Sequence, residues 1–191
     1  MALSAPECVW PLGAVLGEGP LWWDDALWFT DIKRRKVHRF DPDGQTASWD
    51  APSEVGFLAP FRNGHFLAGA KTGLYEFDPA AGSFTPIRTV EPELPGNRLN
   101  DGAVDAKGRL WFGSMDDGEG APTGKLYRLD AGGLAAMDSG TVITNGPAFS
   151  PDGLTLYHTD TLGKTIYTFD TSEDGALRNK RVFVKIEDGA G

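Results

Sequence analysis

Four short stretches of the chain alternate large apolar and polar side chains: Val37–Phe40 (VHRF), Leu74–Phe77 (LYEF), Leu126–Leu129 (LYRL) and Ile166–Phe169 (IYTF). A period of two is what a strand with one buried face requires. Each stretch runs into a turn: Asp41-Pro42-Asp43-Gly44, Asp78-Pro79-Ala80-Ala81-Gly82, Asp130-Ala131-Gly132-Gly133 and Ser172-Glu173-Asp174-Gly175. These residues supply side-chain bonding to nearby amides and the positive φ that tight turns demand. Helical periodicity is absent over any convincing window. The pattern predicts an all-β protein.

The strands belong to a longer repeat. Aromatic-containing strands open at Leu27, Phe66, Leu110 and Leu156, and each leads through a connection to one of the alternating strands. A further hairpin precedes each pair, over 17–29, 57–69, 99–113 and 144–159. Self-similarity at roughly 40–50 residues with several strands per unit is the signature of a β-propeller. The expected layout is one partial propeller domain over 1–191. It has an N-terminal strand (1–16), repeats at about 17–50, 56–90, 98–135 and 143–178, and the start of a next blade at 179–191.

In a propeller the innermost strands all open onto one channel, so equivalent positions converge. About ten residues before each aromatic strand stand Glu18, Asn100-Asp101 and Asn145, whereas the second repeat has Gly56-Phe57. A carboxylate facing an amide carbonyl is a hard oxygen site for a divalent cation. Taken singly, Asn100 and Asn145 read equally well as turn starters. Glu18 between two glycines allows close backbone approach to a ligand. Arg98 could hold a substrate hydroxyl or carboxylate, or pair with a surface acid.

Other residues carry less. His38, His65 and His158 sit in expected strands at no metal-ligand spacing. Ser114 lacks the flanking glycines of a nucleophile elbow. Asp41-Pro42-Asp43-Gly44 lacks the later acids of a calcium loop. Lys33-Arg34-Arg35-Lys36 reads as a solvated charge run, and Cys8 as a small buried or edge residue.

Composition sharpens this picture. The 191 residues are 40% hydrophobic, 11% aromatic and 24% charged, with a net charge of −9. This is ordinary globular composition. An acidic chain without a Lys/Arg patch excludes a phosphate-backbone footprint, so no nucleic acid partner is expected. One cysteine forbids an internal disulfide and every multi-cysteine metal cluster. No apolar run approaches membrane-span length, and the first residues lack a signal-peptide pattern, so no membrane association and a cytoplasmic location are expected.

Leu16-Gly17-Glu18-Gly19-Pro20, Asn97-Arg98-Leu99-Asn100-Asp101-Gly102, Gly108–Met115 (GRLWFGSM), Thr144-Asn145-Gly146-Pro147 and Ser150-Pro151-Asp152-Gly153 resemble the senescence-marker-protein/gluconolactonase/regucalcin family. Residues 158–162 (HTDTL) and 179–184 (NKRVFV) are most similar to its bacterial xylonolactonase members. The resemblance implies a six-bladed β-propeller, about four blades of it present here and unclosed. It further implies a sugar lactonase hydrolysing aldonolactones such as xylono- or gluconolactone at one divalent metal ion (Ca, Fe(II), Zn, Mg or Mn). Glu18 and Asn145 match metal ligands, Arg98 and Asn100 match substrate-binding positions, and Asp101 is a weaker substrate-binding candidate. The third ligand of the family would lie beyond Gly191, and no general base is assigned. An unclosed propeller also invites self-association through open blade edges. The alternatives are a calcium-binding propeller acting on other esters and a non-catalytic binding module.

Overall fold

The computed structural model describes residues 5–187 and Gly189. Sixteen strands form four antiparallel four-stranded sheets, each built from four consecutive strands. The first blade comprises β1 (Gly17–Trp23), β2 (Ala26–Asp31), β3 (Lys36–Phe40) and β4 (Thr46–Asp50). The second comprises β5 (Val55–Pro60), β6 (Phe66–Ala70), β7 (Gly73–Asp78) and β8 (Ser83–Thr89). The third comprises β9 (Asn97–Val104), β10 (Leu110–Asp116), β11 (Gly124–Asp130) and β12 (Gly133–Thr141). The fourth comprises β13 (Thr144–Phe149), β14 (Thr155–Asp160), β15 (Thr165–Thr171) and β16 (Leu177–Lys185). The alternating stretches are β3, β7, β11 and β15, the third strand of each blade. No helix among the described residues is long and apolar enough to cross a membrane.

Alternation along the strands builds three cores, one between each pair of successive blades. Trp28 and Val37 pack against Leu58, Phe66 and Phe77. Phe57 and Leu74 pack against Leu99, Leu110 and Phe112. Trp111 and Leu126 pack against Leu156 and Phe169. Each core is an aromatic-rich layer, whose rings contribute large buried areas and offset or edge contacts. The propeller is therefore an open arc of four blades, with both outer faces outside these three layers.

Four expectations are corrected. Residues 179–185 do not start another blade; they are part of β16, which pairs with β15 and completes the fourth sheet. The described residues of the expected N-terminal strand, 5–16, form no strand. Instead Trp10 packs over blade one, edge-on to Phe29 and His38 and stacked on Phe40. Residues 1–4, 188, 190 and 191 lie outside the described residues. His65 precedes β6 rather than lying in a strand, and Cys8 is exposed. The far face of blade four shows Val182 and Phe183 to solvent, each 58% exposed, with Tyr157 against Phe183.

The inner strands approach one another where glycine permits it. A Cβ on Gly56 would overlap the backbone carbonyl of Asn100, and one on Gly113 would overlap Thr144. Gly56→Ala is expected to push β5 from β9 and lower stability by about 1–3 kcal/mol, measurable by urea denaturation; an unchanged midpoint would show that the contact relaxes freely. His158 is buried with neither ring nitrogen hydrogen-bonded. Burial pushes its pKa down to about 4, against the attraction of Asp138 and Asp160. The unfolded chain then binds a proton between pH 6.5 and 4 that the folded chain refuses, so stability is lost as pH drops from 6.5 towards 4. His158→Leu should remove most of that loss, roughly 3 kcal/mol, in denaturation curves at pH 7 and pH 4.

Candidate active site

Each inner strand carries one extra residue against its neighbour, and these bulges stand at corresponding places. In β1, Glu18 faces Thr30 and pairing resumes only at Leu21 with Trp28. In β13, Asn145 faces Thr159 and pairing resumes at Ala148 with Tyr157. The register shift of β9 encloses Asn100 and Asp101, and that of β5 falls on Gly56. Bulges re-aim side chains and end regular pairing. The Gly-Pro pairs behind Glu18 and Asn145 serve this purpose, since Gly19 (φ +57°) and Gly146 (φ +77°) take a left-handed conformation costly for other residues.

Strand entry is fixed by a repeated carboxylate. Asp31 ends β2 and accepts the amides of Val15 and Leu16, just ahead of β1. Asp160 ends β14 and accepts the amides of Val142 and Ile143, just ahead of β13. Four backbone bonds thus set the starting height of Glu18 and Asn145 on their strands. Hydrogen bonds to the ionised form hold the Asp31 carboxyl below the usual range even though burial alone would raise it.

The third blade ties these positions together. Asn100 Nδ2 donates to the Thr144 carbonyl at 2.6 Å and to Asn145 Oδ1 at 3.1 Å. Asn100 Oδ1 accepts from Arg98 Nη1 at 2.5 Å. Asn145 Nδ2 donates to Thr161 Oγ1 at 2.7 Å, which orients its carbonyl. Arg98, Asn100 and Asn145 are therefore one hydrogen-bonded chain across two blades. Asp101 does different work: its two oxygens accept the amides of Gly102 and Gly146 at 2.8 and 2.9 Å. Burial pushes its carboxyl above the ordinary aspartate range, and those two amides pull it part of the way back.

Glu18 and Asp101 line one cavity of about 520 Å³ along the inner strands, walled by Phe57, Leu58, Gly102 and Trp23. The Glu18 side chain is exposed, with no hydrogen bond to a described residue. Its carboxylate and Asn145 Oδ1 are hard oxygens of the kind that divalent cations take. Among the described residues no three His, Cys, Asp or Glu side chains cluster for a metal, so these two would be a partial shell.

Two networks escaped the sequence reading. Asp117 accepts Arg98 Nε at 2.9 Å, Lys33 Nζ at 3.0 Å and Lys71 Nζ at 3.2 Å. Burial alone would raise its carboxyl, but these three cations bring it down to about 2. The Asp-Asp pair at the end of the third aromatic strand, where Asp31 and Asp160 stand in other blades, is the signal that marks it. Buried Glu91 accepts from Ser114 Oγ, Tyr127 Oη and Asn97 Nδ2 at 2.8–2.9 Å. Ser114 is thus a structural donor, and Tyr127 is held protonated well above the usual tyrosine range, by burial first and then by this carboxylate.

The chain and its fold resemble known proteins. The chain is 33% identical over 190 residues to 6-deoxy-6-sulfogluconolactonase of Pseudomonas putida, covering 97% of this chain and 65% of that one. It is 37% identical over 186 residues to L-arabinolactonase of Azospirillum brasilense, covering 92% and 61%. The structure superposes on a calcium-binding protein, regucalcin, from Agrobacterium tumefaciens with a TM-score of 0.87 at 28% identity, covering 93% of this chain and 62% of that one. The chain thus spans a little under two thirds of the length of the relatives it matches. Residues 16–191 match the description SMP-30/Gluconolactonase/LRE-like region, and the chain belongs to that family.

Proposed function

We propose that the whole protein hydrolyses a sugar lactone to its aldonic acid in the channel bordered by β1, β5, β9 and β13. The observation that carries this reading is the hydrogen-bonded chain Arg98–Asn100–Asn145 on inner-strand bulges, with Glu18 and Asp101 on one cavity wall. The names of the relatives support the reaction class. They differ in the sugar, one lactone carrying a sulfonate and another deriving from a pentose.

Each residue has a defined part. Glu18 presents an exposed carboxylate to the channel. Asn145 presents an amide oxygen, its nitrogen end fixed on Thr161. Asn100 spends its amide on Thr144 and Asn145 and its oxygen on Arg98, so it positions Asn145 and offers its edge to a sugar hydroxyl. Arg98 has Nε and Nη1 engaged, which leaves Nη2 to donate to substrate. Asp101 locks the β13 bulge onto β9 and borders the substrate space. Holding a polyhydroxylated ring against such fixed groups brings carbonyl and water together in a reactive pose. A divalent cation held by Glu18 and Asn145 would supply Lewis-acid polarisation of the lactone and a more acidic water.

The test uses the full-length protein, a panel of aldonolactones beside aryl esters, and added divalent metals. Glu18→Gln and Asn145→Ala should each lower kcat/KM for the lactone by about 100-fold or more while leaving the fold intact by circular dichroism. Metal titration by calorimetry should lose its saturable site in the same variants. Unchanged lactone hydrolysis in both would overturn the assignment, and hydrolysis confined to aryl esters would move the protein to another esterase class.

A further inference from the structure

The tetrabasic run of the first blade is not a uniform solvated face. Arg34 lies 3.8 Å from Asp31, Arg35 binds Glu54 at 3.0 Å and Lys36 binds Asp50 at 2.6 Å. Lys33 alone leaves that local pairing and reaches Asp117, 84 positions away on the third blade. Lys71, in the turn between β6 and β7 of the second blade, reaches the same carboxylate. Arg98 Nε takes a third position on it at 2.9 Å. Connections from three blades therefore meet on Asp117, beside the Arg98 that begins the site chain.

The charge at this point is unbalanced. Three cations share one carboxylate, in a protein whose net charge is −9. Asp117 is the one carboxylate in ion-pair reach of Lys33 and of Lys71 among the described residues. Its neighbour Asp116 is spent on the amides of Gly118, Gly120 and Ala121. Exposed Glu119 in the same loop meets none of the three cations. A single inter-blade ion pair would need one lysine; the second leaves a local surplus of positive charge. Both lysine side chains stay open to solvent, at 41% and 31%, and each ammonium carries three donors of which one is used here. Such a cluster is built to take a further anion.

We propose that Lys33 and Lys71 form an anion-recognising rim on this site, so that it selects lactones bearing an acidic group (sulfonate, phosphate or carboxylate) away from the lactone carbonyl. This rests on the lactonase reading above and names its substrate class. Asp117 holds the two ammonium groups at a fixed spacing beside Arg98, and the acidic group of the substrate completes the charge balance. Neutral aldonolactones gain nothing from the rim.

The test compares 6-phosphogluconolactone with glucono-1,5-lactone in the full-length protein, as the wild type, Lys33→Met/Lys71→Met and Lys33→Arg. The ratio of kcat/KM for the acidic over the neutral lactone should fall about tenfold or more in the double methionine variant, through KM, and Lys33→Arg should retain it. The wild-type ratio should also fall as salt rises. A wild-type ratio near one, or one unchanged in the double variant, overturns the proposal. Calorimetry with 6-phosphogluconate against gluconate separates the two readings without turnover. Preferential binding of 6-phosphogluconate that the double variant loses supports the rim even if no lactone is hydrolysed, an outcome in which only the lactonase reading falls. Equal binding of the two acids removes the rim and leaves the lactonase reading standing.

Discussion

The site depends on how closely the inner strands of neighbouring blades approach. At Gly56 and Asn100 backbone lies against backbone with no room for a side chain, and Gly19 stands tight against Gly56. A like approach of the third and fourth blades, where Gly113 leaves no room for a Cβ beside Thr144, goes with an Asn100 amide within hydrogen-bond reach of Thr144 and Asn145. Loosening it by even the width of a methyl group would break bonds whose geometry fails steeply beyond normal hydrogen-bond length. The second blade contributes no candidate polar side chain, and its Gly56 lets β5 lie directly against β9.

Buried polar groups pose a problem that the fold solves by networks. Asn97, Arg98, Asn100, Glu91, Ser114 and Thr144 are all buried, and each has hydrogen-bond partners. A buried polar group without a partner costs a few kcal/mol, so such a set is tolerated only when its members satisfy one another. The same bonds fix these side chains in place. Rigid placement on strands, rather than on long loops, is what lets residues far apart in sequence act at one point.

Electrostatics separates the two ends of this system. The protein as a whole is acidic, yet the connections over Asp117 concentrate three cations. Most other surface charges pair with an acid nearby in the fold, as Arg62 does with Glu76 and Arg128 with Asp130, and exposed pairs of that kind contribute little to stability. The Asp117 cluster differs because three blades build it and because it adjoins the buried Arg98. Lys33 matters there by position, since its neighbours of like charge are occupied locally.

The amino-acid sequence by itself determined the blade period, the strands and turns of each repeat, and a place about ten residues before the aromatic strand for Glu18, Asn100 and Asn145. Those features are local: alternation, Asx chemistry and glycine placement act over a few residues. The fourth blade boundary was misplaced because β16 is highly exposed and carries no clean alternation to mark it as a sheet member. Only the tertiary structure decided the bulges that aim Glu18 and Asn145, the use of Asp101 as a backbone clamp, and the meeting of Lys33 and Lys71 on Asp117. These depend on register and on the angle between blades, which arise from packing between residues 45 to 84 positions apart. Side-chain spacing along the chain holds no information about which oxygen will face which nitrogen across that gap.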